Sequence, residues 1–153
     1  MASIGTRHAS AVKRLVARMT EAVGMRAVVS VQDPLGLGQH NEPQPDLMLL
    51  APRADFYASA HPTPADVWLL IEVADTTLRY DTEIKLPLYA RHGVREVWVF
   101  DLAAGVLQRH RQPQGERYAH GELFAQPERI ELPTPPGGAI EFGGLLLPPA
   151  QPA

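Results

Sequence analysis

The 153-residue sequence contains no cysteine, so it has no disulfide framework and no thiolate metal site. The metal ligands that remain are carboxylates and six scattered histidines. The histidines form no HExxH pattern and no close ligand pair, which sets zinc aside and favours hard, oxygen-binding cations. Excess positive charge is missing too. With 14 Lys and Arg against 17 Asp and Glu the formal charge is −3, so a nucleic acid would have to be held by a local patch and by metal ions. No apolar run approaches the length of a membrane span, and the opening "MASIGTRHAS" lacks the apolar core of a signal peptide. The expected location is therefore the cytoplasm, with no membrane partner.

What is present is an ordinary globular composition, 45% hydrophobic and 20% charged, in a chain long enough for a real core. We expect one domain over residues 1–150 and a frayed end at 151–153. From His8 to Val23 apolar residues recur as Ala11, Val12, Leu15, Val16, Met19 and Val23, which predicts an amphipathic helix stopped at Gly24. "RAVVSVQ" reads as a strand closed by the turn residues of "DPLGLG". "PDLMLLAP" and "DVWLLIEVAD" read as two central strands, too continuously apolar for a sheet with one wet face. "LRYDTEIKLPLYARHG" has helical spacing with Gly93 just past its end; Pro87 either kinks the helix or sits in the first turn of a regular part that begins near Leu86. "VREVWVFDL" and "VLQRHRQ" predict a hairpin, followed by small edge strands in "GERYAHGELFAQ", "RIELP" and "AIEFGGLLLP". The string α–β–β–β–α–β–β implies an α/β fold with a mixed sheet and helices packed on it.

Against this frame two acids stand out. Asp46 lies between a proline and the four apolar residues of a buried strand, and Glu72 lies inside "WLLIEVA". A carboxylate buried without a partner is costly, so each needs solvent, a pairing cation or a metal. Alternation puts Trp68, Leu70, Glu72 and Ala74 on one face of their strand and Leu69, Ile71 and Val73 on the other. If the two strands are neighbours, Asp46 and Glu72 can converge on one cation, and magnesium suits two carboxylates that leave room for water and phosphate oxygens. Lys85, in the following helix, could orient water or stabilise charge on a phosphate. Simpler roles stand beside these. Asp46 could cap a turn, Glu72 and Lys85 could be an internal ion pair, and Lys85 alone could be solvated. Asp81 could cap or start its helix, and Glu42 sits in a polar loop. "RHRQ" with Arg117 and His120 reads as a solvated hairpin face before it reads as a phosphate-facing patch, and Trp68, Tyr89 and Trp98 are spaced for packing.

The ordered combination of "EPQPDLMLL" and "IEVADTTLRYDTEIKLPLYARHGVREVWVFDL" resembles the Uma-two family of restriction endonucleases, within the PD-(D/E)XK nuclease superfamily. The resemblance covers most of the chain. It implies a restriction-endonuclease-like mixed β-sheet flanked by helices and an endonuclease that uses Mg2+, or Mn2+ in its place, on nucleic acid, with DNA the expected partner. By the same resemblance Asp46 and Glu72 match the metal-binding acids. Lys85 matches a catalytic lysine supplied by the helix, since the usual strand position is Ala74. Asp81 and Glu42 match acids that would stand behind the metal ligands. Members usually carry a further helix and a pair of strands with a "GE"-type turn ahead of the helix that begins here. Its expected absence implies an exposed sheet edge, which invites a homodimer. The alternative on the same fold is a non-catalytic module that binds nucleic acid or protein.

Overall fold

The computed structural model describes residues 5–145, so the frayed end expected at 151–153 lies outside the described residues. The first helix, α1 (Thr6–Val23), buries Val12, Leu15, Met19 and Val23, a stripe at the three- and four-residue steps that share one helix face. Gly24 ends it at φ +54°, a left-handed conformation that glycine adopts at little cost.

Six strands form the main sheet in sequence order: β1 (Val28–Val31), β2 (Leu47–Leu50), β3 (Val67–Ala74), β4 (Glu96–Asp101), β5 (Val106–Gln114) and β6 (Arg117–Ala125). Neighbours are antiparallel except β3 and β4, which run parallel and therefore need a long crossover. The crossover consists of α2 (Leu78–Tyr80), a π turn (Asp81–Lys85) and α3 (Leu86–Arg91). Of the two roles open to Pro87, the second is found: it is the second residue of α3, directly after the π turn. Gly93, at φ +78°, then turns the chain toward β4.

Both faces of the sheet are covered, which is why β2 and β3 read as unbroken apolar runs. One face, with Leu47, Leu49, Leu69, Ile71, Trp98 and Phe100, packs under α1 and under a small separate sheet of β7 (Arg129–Glu131) and β8 (Ala139–Glu141). The other, with Met48, Leu50, Leu70, Val97 and Val99, packs against Tyr89 of the crossover and Leu35 and Leu37 of the β1–β2 connection. Among the described residues no helix is long and apolar enough to cross a membrane.

Three local expectations are corrected. Trp68 does not share a face with Leu70 and Glu72. The pairing of β2 with β3 slips between Leu49 and Leu50, so Val67 turns to the crossover side while Trp68 packs on the α1 side with Leu69. β6 is no small strand but nine residues that pair along β5. β7 and β8 are not edges of the main sheet; they pair only with each other.

Candidate active site

The register of β2 on β3 builds the site. Leu47 pairs with Ile71, so the next step of the antiparallel ladder sets Asp46 opposite Glu72. The Asp46 amide donates to Glu72 Oε1 at 3.3 Å, and the Val73 amide donates to Asp46 Oδ2 at 2.8 Å. Two acids distant in sequence thus face each other where β2 enters the sheet and β3 nears its end.

The crossover brings the third group. In the π turn the amide of Leu86 reaches back to the Asp81 carbonyl, one residue further than in an α-helix. Asp81 and Lys85 stand side by side, with Lys85 Nζ 3.5 Å from Asp81 Oδ1, and the same ammonium donates to Glu72 Oε2 at 2.5 Å. Asp81 is no helix cap, because α2 has already begun at Leu78. Its Oδ2 accepts from the Thr77 hydroxyl at 2.8 Å, and the residue is 3% exposed. Around these groups opens a cleft of about 530 Å3 whose walls include Gln32, Gln44, Asp46, Glu72, Asp81 and Lys85. Glu42 is exposed and does not line it.

Burial dominates the electrostatics. Glu72 is 2% exposed, and desolvation pushes its carboxyl up to about 8, a rise that attraction to Lys85 opposes and the nearby Asp46 charge reinforces. Asp81 is raised as well, first by burial. For Lys85 burial works downward, but the charges of Glu72, Asp81 and Asp46 outweigh it and hold the amine above its ordinary value. It is therefore a cation and not a base. The Tyr89 hydroxyl, fully buried and without a hydrogen-bond partner, is kept protonated by burial and by the same three acids. A buried acid alone does not make a site: Glu96, also raised by burial, accepts the Trp98 indole N–H at 2.8 Å and is satisfied within the sheet.

The Glu72 shift sets a pH dependence. Below its ordinary 4.5 the group is protonated folded or unfolded, whereas between 4.5 and about 8 only the folded chain holds the proton. Stability of the metal-free chain should therefore fall as pH rises through that window. Affinity for a cation that needs the ionised carboxylate should rise about tenfold per pH unit over the same range. Melting curves and metal titrations at pH 5.5, 6.5, 7.5 and 8.5 check both signs.

His8 was not singled out in the sequence. Its Nε2 lies 3.2 Å from Asp46 Oδ1, and its ring lines the cleft. The signal was available: position 8 continues the buried stripe of Val12, Leu15, Met19 and Val23 one step toward the N-terminus, and a polar residue on that stripe requires a partner. The hairpin arginines find a partner within the sheet. Arg109 and Arg111 both pair with Glu122 Oε1, each at 2.8 Å.

Two facing carboxylates and a lysine thus line one cleft of a mixed sheet flanked by helices. Over residues 1–142 the chain matches the Uma2 family, described as "Putative restriction endonuclease", and it belongs to that family. The fold is shared with the crystal structure of "a putative nuclease belonging to DUF820" from Anabaena variabilis, at 18% sequence identity and a TM-score of 0.67 over 88% of this chain and 75% of that one. No curated protein matches the chain.

Proposed function

We propose that this chain is a Mg2+-dependent endonuclease that hydrolyses phosphodiester bonds of nucleic acid, DNA in the first place, with Mn2+ as a working substitute. The observation that carries the reading is the meeting of Asp46 and Glu72 across β2 and β3, with Lys85 on the same cleft. Among the described residues no three His, Asp or Glu side chains gather into a metal cage, so the protein offers two carboxylates. That donor set fits magnesium, which keeps several waters and takes phosphate oxygens in its remaining positions. The high Glu72 pKa is a second sign of fit, since a further positive charge would remove the cost of ionising that carboxyl.

Asp46 and Glu72 would hold the cation, which supplies Lewis-acid charge and a more acidic water. The chain's own residues do the rest. Val73 fixes the Asp46 carboxylate through its amide. Lys85, released from Glu72, would place its ammonium against the phosphate or the attacking water and offset the negative charge that grows there. Water adds to phosphorus, one P–O ester bond breaks, and the leaving oxygen takes up a proton. Asp81 would hold Lys85 from behind, keeping it charged and turned to the cleft. Glu42, exposed and outside the cleft lining, has no part in this scheme.

The test is incubation of supercoiled plasmid, single-stranded DNA and RNA with the protein in Mg2+, Mn2+ or EDTA. Metal-dependent nicking supports the reading. A second reading draws on the Lys85–Glu72 pair, which satisfies the site without any metal: a binding module for nucleic acid or protein. Its expected result is retarded nucleic acid with no cleavage in either metal. The nuclease reading also carries a cytoplasmic location and a homodimer. β1 and β6 are the sheet's edge strands, and sedimentation at micromolar concentration checks for a dimer.

A further inference from the structure

Among the described residues only two buried side-chain polar atoms lack a hydrogen-bond partner, His8 Nδ1 and the Tyr89 hydroxyl, and both belong to residues around this site. Tyr89 sits in the apolar cluster on the crossover side of the sheet. His8 comes from the opposite side, in the first turn of α1, with its side chain 16% exposed against 14% for Asp46. We infer that His8 is a positioning residue: a hydrogen bond from its Nε2–H to Asp46 Oδ1 holds that carboxylate in the orientation that receives the cation. The inference rests on the metal-dependent reading above.

Two observations carry it. Both Asp46 oxygens have a nitrogen close by: the Val73 amide donates to Oδ2 at 2.8 Å, and His8 Nε2 stands 3.2 Å from Oδ1. Each carboxylate oxygen has two lone pairs, so a donor on one leaves the other open to a cation. The ring itself has little freedom. It is fixed to α1, whose buried stripe locks onto the sheet through Val12, Leu15 and Met19, and these all lie in the cluster that contains Ile71 and Val73. For that donation Nε2 must carry a proton, and the tautomer that does so leaves Nδ1, which is buried without a partner, as a lone pair. Histidine is thus used here as a donor carried on a helix, the kind of support that holds a metal-binding side chain in place.

The experiment has two readouts. In the metal-free wild-type chain, 15N–1H correlation of the imidazoles should show His8 as the Nε2–H tautomer; an Nδ1–H tautomer would overturn the contact. In calorimetric titration of Mn2+, His8→Ala should bind about 10- to 100-fold more weakly than wild type. His8→Gln, whose amide can donate from nearly the same place, should recover most of the loss, and circular dichroism should show both variants folded. Wild-type binding with undiminished affinity in folded His8→Ala overturns the role of His8 alone. A wild-type chain that binds no Mn2+ overturns the metal-dependent reading together with it. If His8→Ala fails to fold, the decision passes to His8→Gln, where affinity as weak as that of an Asp46→Ala chain overturns donation from Nε2.

Discussion

Lys85→Ala is expected to lower the rate of cleavage by about 10²- to 10³-fold while Mn2+ remains bound, because stabilisation of transition-state charge typically has that magnitude. Among the described residues lining the cleft Lys85 is the one permanent cation, set among Asp46, Glu72, Asp75 and Asp81. Its neighbours hold it charged, so its contribution is electrostatic and is made to negative charge that grows in the reaction. Metal binding should survive the substitution, since Nζ sits on Glu72 Oε2 and its removal frees that oxygen. Lys85→Arg should restore little, because a planar fork does not replace a compact ammonium on a flexible stem. Single-turnover cleavage at saturating Mn2+, beside a titration of the same variants, separates rate from binding. An unchanged rate in a folded Lys85→Ala chain would reduce the lysine to the internal partner of Glu72.

The second large effect separates stability from function. Glu72→Gln should abolish Mn2+ binding and cleavage and yet leave the metal-free chain at pH 8 at least as stable as wild type. Desolvation penalises the ionised Glu72 more than Lys85 relieves it, so a neutral side chain of the same shape removes a cost. At pH 5, where the wild-type carboxyl already holds its proton, this advantage should disappear. Melting temperatures at the two pH values, with and without Mn2+, carry the test. A variant less stable than wild type at pH 8, or one that keeps the metal-induced shift, would show that Glu72 is present for structure. Strain of this kind, retained in a strand that would be steadier without it, is expected where a residue serves chemistry.

Much of this was legible in the sequence because it rests on periodicity and on the cost of burying charge. The α1 stripe, the unbroken apolar runs of β2 and β3, and the two acids within those runs can be read without coordinates. What failed depended on contacts between elements. Strict alternation set Trp68 beside Glu72, and only the slip in the β2–β3 ladder, which no single strand encodes, moves it to the other face. Asp81 reads as a cap or start of its helix from residue type alone; α2 begins earlier, at Leu78, and the π turn instead sets Asp81 and Lys85 side by side near Glu72. Arg109 and Arg111 do share a face, but Glu122 on β6 pairs with both, and that depends on the β5–β6 register, which neither strand encodes alone. His8 was overlooked although it lies on the helix stripe, since a lone histidine acquires meaning only when its partner is known to be Asp46.

Asp46 and Glu72 matter most if they hold one cation between them. The most direct measurement is calorimetric titration of Mn2+ at pH 8.5 into wild-type protein and into Asp46→Ala and Glu72→Ala, each checked for folding by circular dichroism. One binding event is expected in the wild type and none in either folded variant. A folded wild-type chain that takes up no Mn2+, or variants that bind it as well as wild type, would contradict it.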